Sequence, residues 1–288
     1  MPLSVSIITP SYNQGRYLER TIRSVLEQRR PFEYLVMDGG SRDESVEIPQ
    51  RYSAELQWVS EPDRGQADAV NKGLARATGE IIGWLNSDDI FYPGAVAAAA
   101  DFLTRRPEID VVYGNGNHID EHDRVIEPYP TEDWDFERLK ERCFLCQPAV
   151  FFRRRLVDRF GPLGVHWRYA LDYEYWLRLG KGGVRFARIG ALLAGSRLHP
   201  ETKTLGSRVK VHAEINDMLR SLLGRAPDRW LYNYAHAVLD DRGVPRRSRR
   251  FSAEVAALAW WSALRWNHRI SPPMLRQGGQ WIGGAVLR

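Results

Sequence analysis

Several short apolar runs in this chain end in clusters of polar residues whose types suit cation and phosphate chemistry. The run Ile81–Leu85 leads into Asn86-Ser87-Asp88-Asp89. Two adjacent carboxylates at the end of a buried segment repel each other and lose solvation, and a divalent cation relieves both penalties. Oxygen ligands favour Mn²⁺ or Mg²⁺, which keep several waters and share phosphate oxygens. Asp88 and Asp89 are therefore candidate metal ligands, and His199 in Arg-Leu-His-Pro is a candidate metal or phosphate ligand, although a lone histidine is more often structural. The plainer alternative is an Asp-Asp pair that caps the following helix.

Asp38 follows the run Tyr34–Met37 and precedes Gly39-Gly40. A carboxylate there can accept the imide N–H of a uracil, and the glycines let a flat ligand come close. Arg64 offers a planar fork for phosphate. Lys72 lies four residues after Asp68, the spacing of a helix-face ion pair. Asp172 opens Asp-Tyr-Glu-Tyr-Trp-Leu-Arg, where a carboxylate at a helix start can act as a general base or simply favour the helix dipole. His118 and His122 fall on an expected hairpin, which does not suit a metal pair.

The elements that must position these residues alternate. Strand-like runs at Ser4–Thr9, Tyr34–Met37, Leu56–Val59, Ile81–Leu85 and Val111–Tyr113 are separated by helical periodicity at Leu18, Ile22, Val25, Leu26 and at Ala67, Val70, Leu74, Ala77. Ser41 and Glu44 have the spacing of a capping box. This order predicts an α/β fold with a mostly parallel sheet flanked by helices, whose ligands bind outside the carboxyl ends of the strands. Further on, the pattern predicts a hairpin over 117–126, strands over 147–152 and 184–189, and a helix over 171–179. Beyond Gly206 the chain reads as helical.

The bulk numbers narrow the classes. A chain of 288 residues with 27% charged residues suits a soluble protein of one large α/β domain, or of one such domain plus a helical appendix. Cys143 and Cys146 form a lone pair, too few ligands for a structural zinc and ordinary for a reducing compartment. No leader peptide and no membrane-length apolar run is visible, which predicts a cytoplasmic protein, peripheral on the inner face of the plasma membrane if it meets one. Neither a dinucleotide-binding nor a P-loop glycine motif is present, and no nucleic-acid-binding motif is found. From Gly206 onward there are 14 Lys and Arg against 6 Asp and Glu, so that segment carries +8 of a total of +5 and residues 1–205 carry −3. In this basic tail Trp230, Trp260, Trp261, Trp266 and Trp281 are interleaved with arginines. Such a composition suits peripheral contact with an anionic membrane through 246–288, or a plain helical subdomain with solvated arginines.

Several motifs occur in a fixed order: Ser6-Ile-Ile-Thr-Pro-Ser-Tyr-Asn13, Asp38-Gly-Gly-Ser-Arg-Asp43, Glu61-Pro-Asp-Arg-Gly-Gln-Ala-Asp68, Gly83-Trp-Leu-Asn-Ser-Asp-Asp89, Gln147-Pro-Ala-Val-Phe-Phe-Arg153, Asp172-Tyr-Glu-Tyr-Trp-Leu-Arg178 and Arg197-Leu-His199. Over about residues 3–205 the chain resembles a family 2 glycosyltransferase of the GT-A fold. That resemblance implies an inverting, metal-dependent hexosyl transfer from a nucleotide-diphosphate sugar, with UDP as the first candidate nucleotide. The acceptor it implies is a glycan or lipid-linked molecule of cell-surface polysaccharide synthesis. The donor would be bound by Thr9, Pro10, Tyr12, Asp38, Arg64, Asp68, Asn86, Ser87 and Asp88, with Thr9 and Asp38 at the base. Asp88 would hold Mn²⁺ or Mg²⁺ with Asp89 and His199, and Asp172 would be the catalytic base. The expected domains are 1–205, the transferase, and 206–288, a basic Trp-rich helical extension. Asn86 departs from the family pattern, which has an aspartate there. Asn86 and the large tail support the alternative of a non-catalytic sugar-nucleotide-binding or scaffold protein in a polysaccharide assembly complex.

Overall fold

The computed structural model describes residues 3–199 and 207–286. The chain divides into two compact units, one of residues 1–139 with 143–199, the other of residues 140–142 with 200–288. The expected boundary at 205/206 lies outside the described residues.

The first unit is built on one sheet. Its strands are β1 (Val5–Ser11), β2 (Glu33–Asp38), β3 (Gln57–Ser60), β4 (Ile81–Trp84), β5 (Ile90–Phe91), β6 (Val111–Ile119), β7 (Val125–Pro128), β8 (Val150–Arg153) and β9 (Phe186–Arg197). They run in the order β3-β2-β1-β4-β8-β6-β9-β5, with β7 paired to β6. The β3, β2, β1 and β4 ladder is parallel. From there the sheet is mixed, because β8 lies antiparallel between β4 and β6 and β5 lies antiparallel to β9. The chain moves outward from β1 to β3 and then returns to β4 on the other side of β1. This reversal opens a crevice at the carboxyl ends of β1 and β4, where ligands of open α/β sheets bind.

Burial explains the sequence of these strands. β1 and β4 are buried at every position, as strands covered on both faces must be. The helix Gly15–Leu26 buries Tyr17, Leu18, Thr21, Ile22 and Val25 along one face. Each such aliphatic side chain stabilises by about 1.5–3 kcal/mol. The helix Gln66–Arg76 lies so close to β1 that a Cβ on Gly73 would fall 2.5 Å from Ile8 Cγ2. That approach sets where the first turn of the helix, with Gln66 and Asp68, meets the strand ends.

Three local expectations are corrected. Ser41 caps no helix, because its Oγ donates to Asp38 and accepts from the Asn13 N–H. Residues 147–149 form a 3₁₀ turn and the strand starts only at Val150, since Pro148 has no N–H to give a ladder. β9 is twelve residues long and starts at Phe186, because it continues as a partner of β6 and then β5. The hairpin of β6 and β7 turns through 120–124, with Asp120 accepting from the backbone N–H groups of His122 and Arg124.

The second unit is helical, with helices Arg208–Leu223, Asp228–Asp241, Arg249–Asn267 and Pro272–Val286. Leu231, Ala235, Leu239, Phe251, Val255, Ala259, Ala263, Trp266 and Met274 form its core. Gly224 and His268, both left-handed, end the first and third of these helices. Among the described residues no helix is long and apolar enough to cross a membrane.

Candidate active site

The segment after β4 is held by a closed amide network. Trp84 Nε1–H donates to Asn86 Oδ1 at 2.9 Å, and Gln66 Nε2 donates to the same oxygen at 2.7 Å. Asn86 Nδ2 donates to Gln147 Oε1 at 2.9 Å and to Asp89 Oδ2 at 3.2 Å. Gln147 Nε2 donates to the Trp84 carbonyl at 2.7 Å. An indole N–H only donates and a backbone carbonyl only accepts. The chain of bonds starts and ends on Trp84, so the orientation of both amides is fixed. Residue 86 must both accept from Trp84 and donate toward Asp89 and Gln147. An amide does both, whereas a carboxylate would face Asp89 as a second negative charge. With two bonds on each end of its side chain, Asn86 has its hydrogen-bonding capacity filled by protein.

Asp89 points inward. It is 4% exposed, and Oδ1 accepts the Arg197 N–H at 2.8 Å. Burial, then the adjacent Asp88 charge, holds its carboxyl well above the usual carboxylate range. Asp88 points outward, with Oδ2 3.2 Å from His199 Nε2. An oxygen lone pair and a ring nitrogen at that distance need a proton or a cation between them. Arg197, 2% exposed, joins the parts. Its Nε donates to the Asp88 carbonyl at 2.6 Å, Nη1 donates to the Asp120 carbonyl at 2.6 Å, and Nη2 lies 2.5 Å from Asp123 Oδ1. Tyr17 packs its ring against both the Arg197 guanidinium, at 5.1 Å, and the His199 ring, at 4.8 Å. The sequence reading picked His199 and passed over Arg197. Residues two apart in an extended chain share a face, so the argument that selected one selects the other.

At the ends of β1 and β2, Asp38 is 3% exposed. Its Oδ2 accepts from the Gly40 and Ser41 N–H groups and from Ser60 Oγ, while Oδ1 accepts from Ser41 Oγ alone. One oxygen thus holds the loop and the other retains capacity. Thr9 and Pro10 are buried within β1, and Thr9 Oγ1 lies 3.2 Å from the buried Tyr34 hydroxyl. Tyr12, just past the strand, is 59% exposed. Ser87 is buried in the β4–β5 turn, whose carbonyls at Ser87 and Asp89 both accept from Thr21 Oγ1.

The segment from Glu61 to Asp68 braces itself. Asp68 Oδ1 pairs with Arg64 Nη2 at 2.8 Å and Oδ2 accepts the Arg64 N–H, which holds the Asp68 carboxyl low. Arg64 keeps the rest of its fork exposed. Lys72 pairs with Glu61 at 3.0 Å and donates to the Pro62 carbonyl, so the helix-face pairing with Asp68 is replaced by one to the loop.

Asp172 sits in the first turn of the helix Leu171–Lys181. Burial pushes the Cys143 and Cys146 thiols up, and the Asp172 charge pushes both further. The Asp89 charge also acts on Cys146. The charges of both carboxylates thus reach the Cys146 thiol, one from earlier in the chain and one from later. Both cysteines are free, and thiols held this high are unreactive.

Asp88 and His199 converge and supply one oxygen and one nitrogen, a set that suits Mn²⁺ better than the oxygen-seeking Mg²⁺, with water and phosphate completing the shell. Asp89 does not join them, because its two oxygens are engaged by Arg197 and Asn86. No cluster of three or more His, Cys, Asp or Glu that could hold a metal exists among the described residues.

A sheet of this topology with its polar residues gathered at the β1, β4 and β9 ends is the GT-A arrangement of glycosyltransferases. Residues 6–161 match the family described as Glycosyl transferase family 2, and the chain belongs to that family. It is 35% identical over 180 residues to an uncharacterized glycosyltransferase of Mycobacterium tuberculosis, covering 61% of this chain and 68% of the relative. It is 30% identical over 183 residues to a PGL/p-HBAD biosynthesis glycosyltransferase of Mycobacterium bovis, covering 60% and 68%. Among solved structures, S. aureus TarS 1–349 in complex with UDP-GlcNAc superposes with a TM-score of 0.64 at 16% identity, covering 92% of this chain and 82% of that one. The mannosyltransferase PcManGT from Pyrobaculum calidifontis in complex with GDP-Man and Mn²⁺ gives 0.62 at 19% identity, covering 100% and 81%.

Proposed function

We propose that this glycosyltransferase is an inverting hexosyltransferase that takes its sugar from a nucleotide-diphosphate donor, with UDP the first nucleotide to test. The acceptor is a glycan or lipid-linked molecule of cell-surface polysaccharide synthesis. The observation that carries the reading is the meeting of Asp88 and His199 beside the Asn86 network at the crevice between β1 and β4. The nucleotide sugars in the TarS and PcManGT complexes and the PGL/p-HBAD biosynthesis in the mycobacterial relative's name are consistent with it.

In this reading Asp38 and Tyr12 meet the nucleoside, Ser87 lines the crevice, and the open part of the Arg64 fork meets phosphate. Thr9, Pro10, Asp68 and Asn86 act by holding the walls. Asp88 and His199 would hold Mn²⁺ or Mg²⁺, whose charge offsets the charge that builds on the departing diphosphate. Asp172 accepts the proton of the acceptor hydroxyl as its oxygen bonds to the anomeric carbon and the bond from that carbon to the diphosphate oxygen breaks. One base and one in-line attack invert the anomeric centre. The protein works in the cytoplasm and meets an anionic membrane peripherally through 246–288.

Calorimetric titration of UDP in the presence of Mn²⁺ tests the site, and absence of metal-dependent binding for UDP, GDP and TDP alike would remove it. Asp172→Asn should bind donor normally while transfer falls by about 10²–10⁴-fold. The non-catalytic scaffold alternative rested on Asn86 and on the large tail, and the amide network supplies a structural reason for the first of these. It predicts intact donor binding with no transfer to any membrane extract.

A further inference from the structure

The basic excess of the helical unit is confined to its last part. From Arg242 to the end there are nine arginines and one acidic residue, Glu254. Folding sorts the side chains that composition alone had grouped together. Trp266 is 2% exposed and donates to Asp217 Oδ1 at 2.7 Å, and Trp230, 8% exposed, donates to the Lys140 carbonyl. Trp260 donates to the Met274 carbonyl and presses on Gly278, where a Cβ would fall 2.5 Å from its ring. Trp281 packs on Tyr232 at 5.4 Å. Arg246 and Arg250 are paired with Asp240 and Glu254. These residues build the unit and are not available to a partner.

What remains exposed is a stripe on one helix and a leucine-arginine pair on the next. On the helix Arg249–Asn267 the exposed positions include Ala257, Trp261, Leu264 and Arg265, with His268 just beyond the last turn. At about 100° per residue these positions fall within roughly one quarter to one third of the helix circumference. Trp261 is 48% exposed and Leu264 52%. Arg265 lies over the Trp261 ring at 5.5 Å. On the helix Pro272–Val286, Leu275 is 49% exposed and stands next to Arg276. Arg265, Arg269 and Arg276 have no acidic partner among the described residues.

We infer that this Trp261–Leu264–Arg265 stripe, with Leu275 and Arg276, is the docking face for the anionic headgroup layer of a phospholipid bilayer. The inference rests on the peripheral-membrane reading above and narrows it to named side chains. A tryptophan and leucines with arginines that have no acidic partner, the nearest carboxylate on the helix being Glu254, already paired with Arg250, match an interface that is negative outside and apolar beneath. A protein partner would have to bring both an apolar patch and a surplus of acids to cover the same face.

The test uses the full chain and vesicles of phosphatidylcholine alone or with 30% phosphatidylglycerol, a composition chosen for the assay. Co-sedimentation should occur with the anionic vesicles and weaken as salt rises. Trp261→Ala with Leu264→Ala should lower the binding at least tenfold, and so should Arg265→Glu with Arg269→Glu and Arg276→Glu. Bromine-labelled lipids should quench part of the tryptophan emission, and Trp261→Phe should abolish that quenching even if the double variant folds poorly. Equal binding by all variants overturns the proposal. So does a dimer in gel filtration that disappears in the Trp261 and Leu264 double variant without any vesicle binding, since a second copy would then be the occupant. Loss of donor binding in the calorimetric experiment with vesicle binding intact would instead fault the transferase site and leave this face standing.

Discussion

The sheet unit and the helical unit hide different things. In the sheet unit the interior contains charged and polar side chains, including Asp38, Asp89, Gln147, Arg153, Glu174, Arg197 and His199. In the helical unit the fully buried polar side chains among the described residues are Asn216 and Ser262. Buried charge is tolerated only when it is paired and hydrogen-bonded. Several of the sheet unit's buried charges are bonded to loops at the strand ends that form the crevice. The helical unit keeps its charge outside, where it serves solubility or a partner. The lesson is that total charge does not indicate where the chemistry lies: the basic tail is chemically quiet inside, and the mildly acidic front contains the site.

The sharpest way to break this contrast is to remove one of the buried ions. Arg197→Met fills similar volume and keeps the main-chain N–H that Asp89 accepts, but leaves Asp123 without its cation and the Asp88 and Asp120 carbonyls without donors. Denaturant unfolding should show a loss of about 3–5 kcal/mol, the range for breaking a buried pair from one side. A change below 1 kcal/mol would mean that the strand-end network is ornamental to the fold.

A pH scan separates the units. In the helical unit burial, then the Arg208 charge, lowers His212 to about 4, and burial also lowers His236. A depressed histidine stays neutral in the folded state while the unfolded chain is already protonated near 6.5. The unfolded state therefore binds more protons between about pH 6.5 and 4, and stability falls as pH drops through that window. His212 alone accounts for up to about 3 kcal/mol of this loss. Hydrogen exchange in Arg208–Leu223 and Asp228–Asp241, corrected for intrinsic rates, should accelerate over that range, and His212→Gln should flatten the response. Unchanged protection would place His212 in a wetter setting than its packing shows.

The smallest effect concerns residue 86. Asn86→Asp should restore the family's residue yet destabilise the chain by about 1–3 kcal/mol, because Gln147 and Asp89 lose a donor and Asp89 gains a like charge. Gln147→Glu in the wild-type background should cost a similar amount, since a carboxylate cannot donate to the Trp84 carbonyl. If Asn86→Asp proves neutral or stabilising, the amide orientation argued from Trp84 is wrong.

Much was legible before folding. The alternation of apolar runs gave the strands at β1, β2 and β4 nearly to the residue, because strands buried on both faces read as continuous hydrophobic segments. The polar ends of those runs also showed that Asp38 and Asp88 would stand at strand ends, because in such a sheet the apolar runs stop where the strands leave the core. Tertiary structure alone decided what each polar group does. Asp88 and Asp89 are neighbours in sequence with the same chemistry, yet one faces the crevice and the other faces Arg197, from more than a hundred residues away. Lys72 left its helical neighbour for Glu61, and four tryptophans that composition offered to a membrane are held by carbonyls, a carboxylate and a ring within their own unit. Local pattern fixes the backbone because hydrogen-bond geometry and burial periodicity are short-range. The partner of a side chain depends on which distant segment the fold brings beside it, and no spacing along the chain records that.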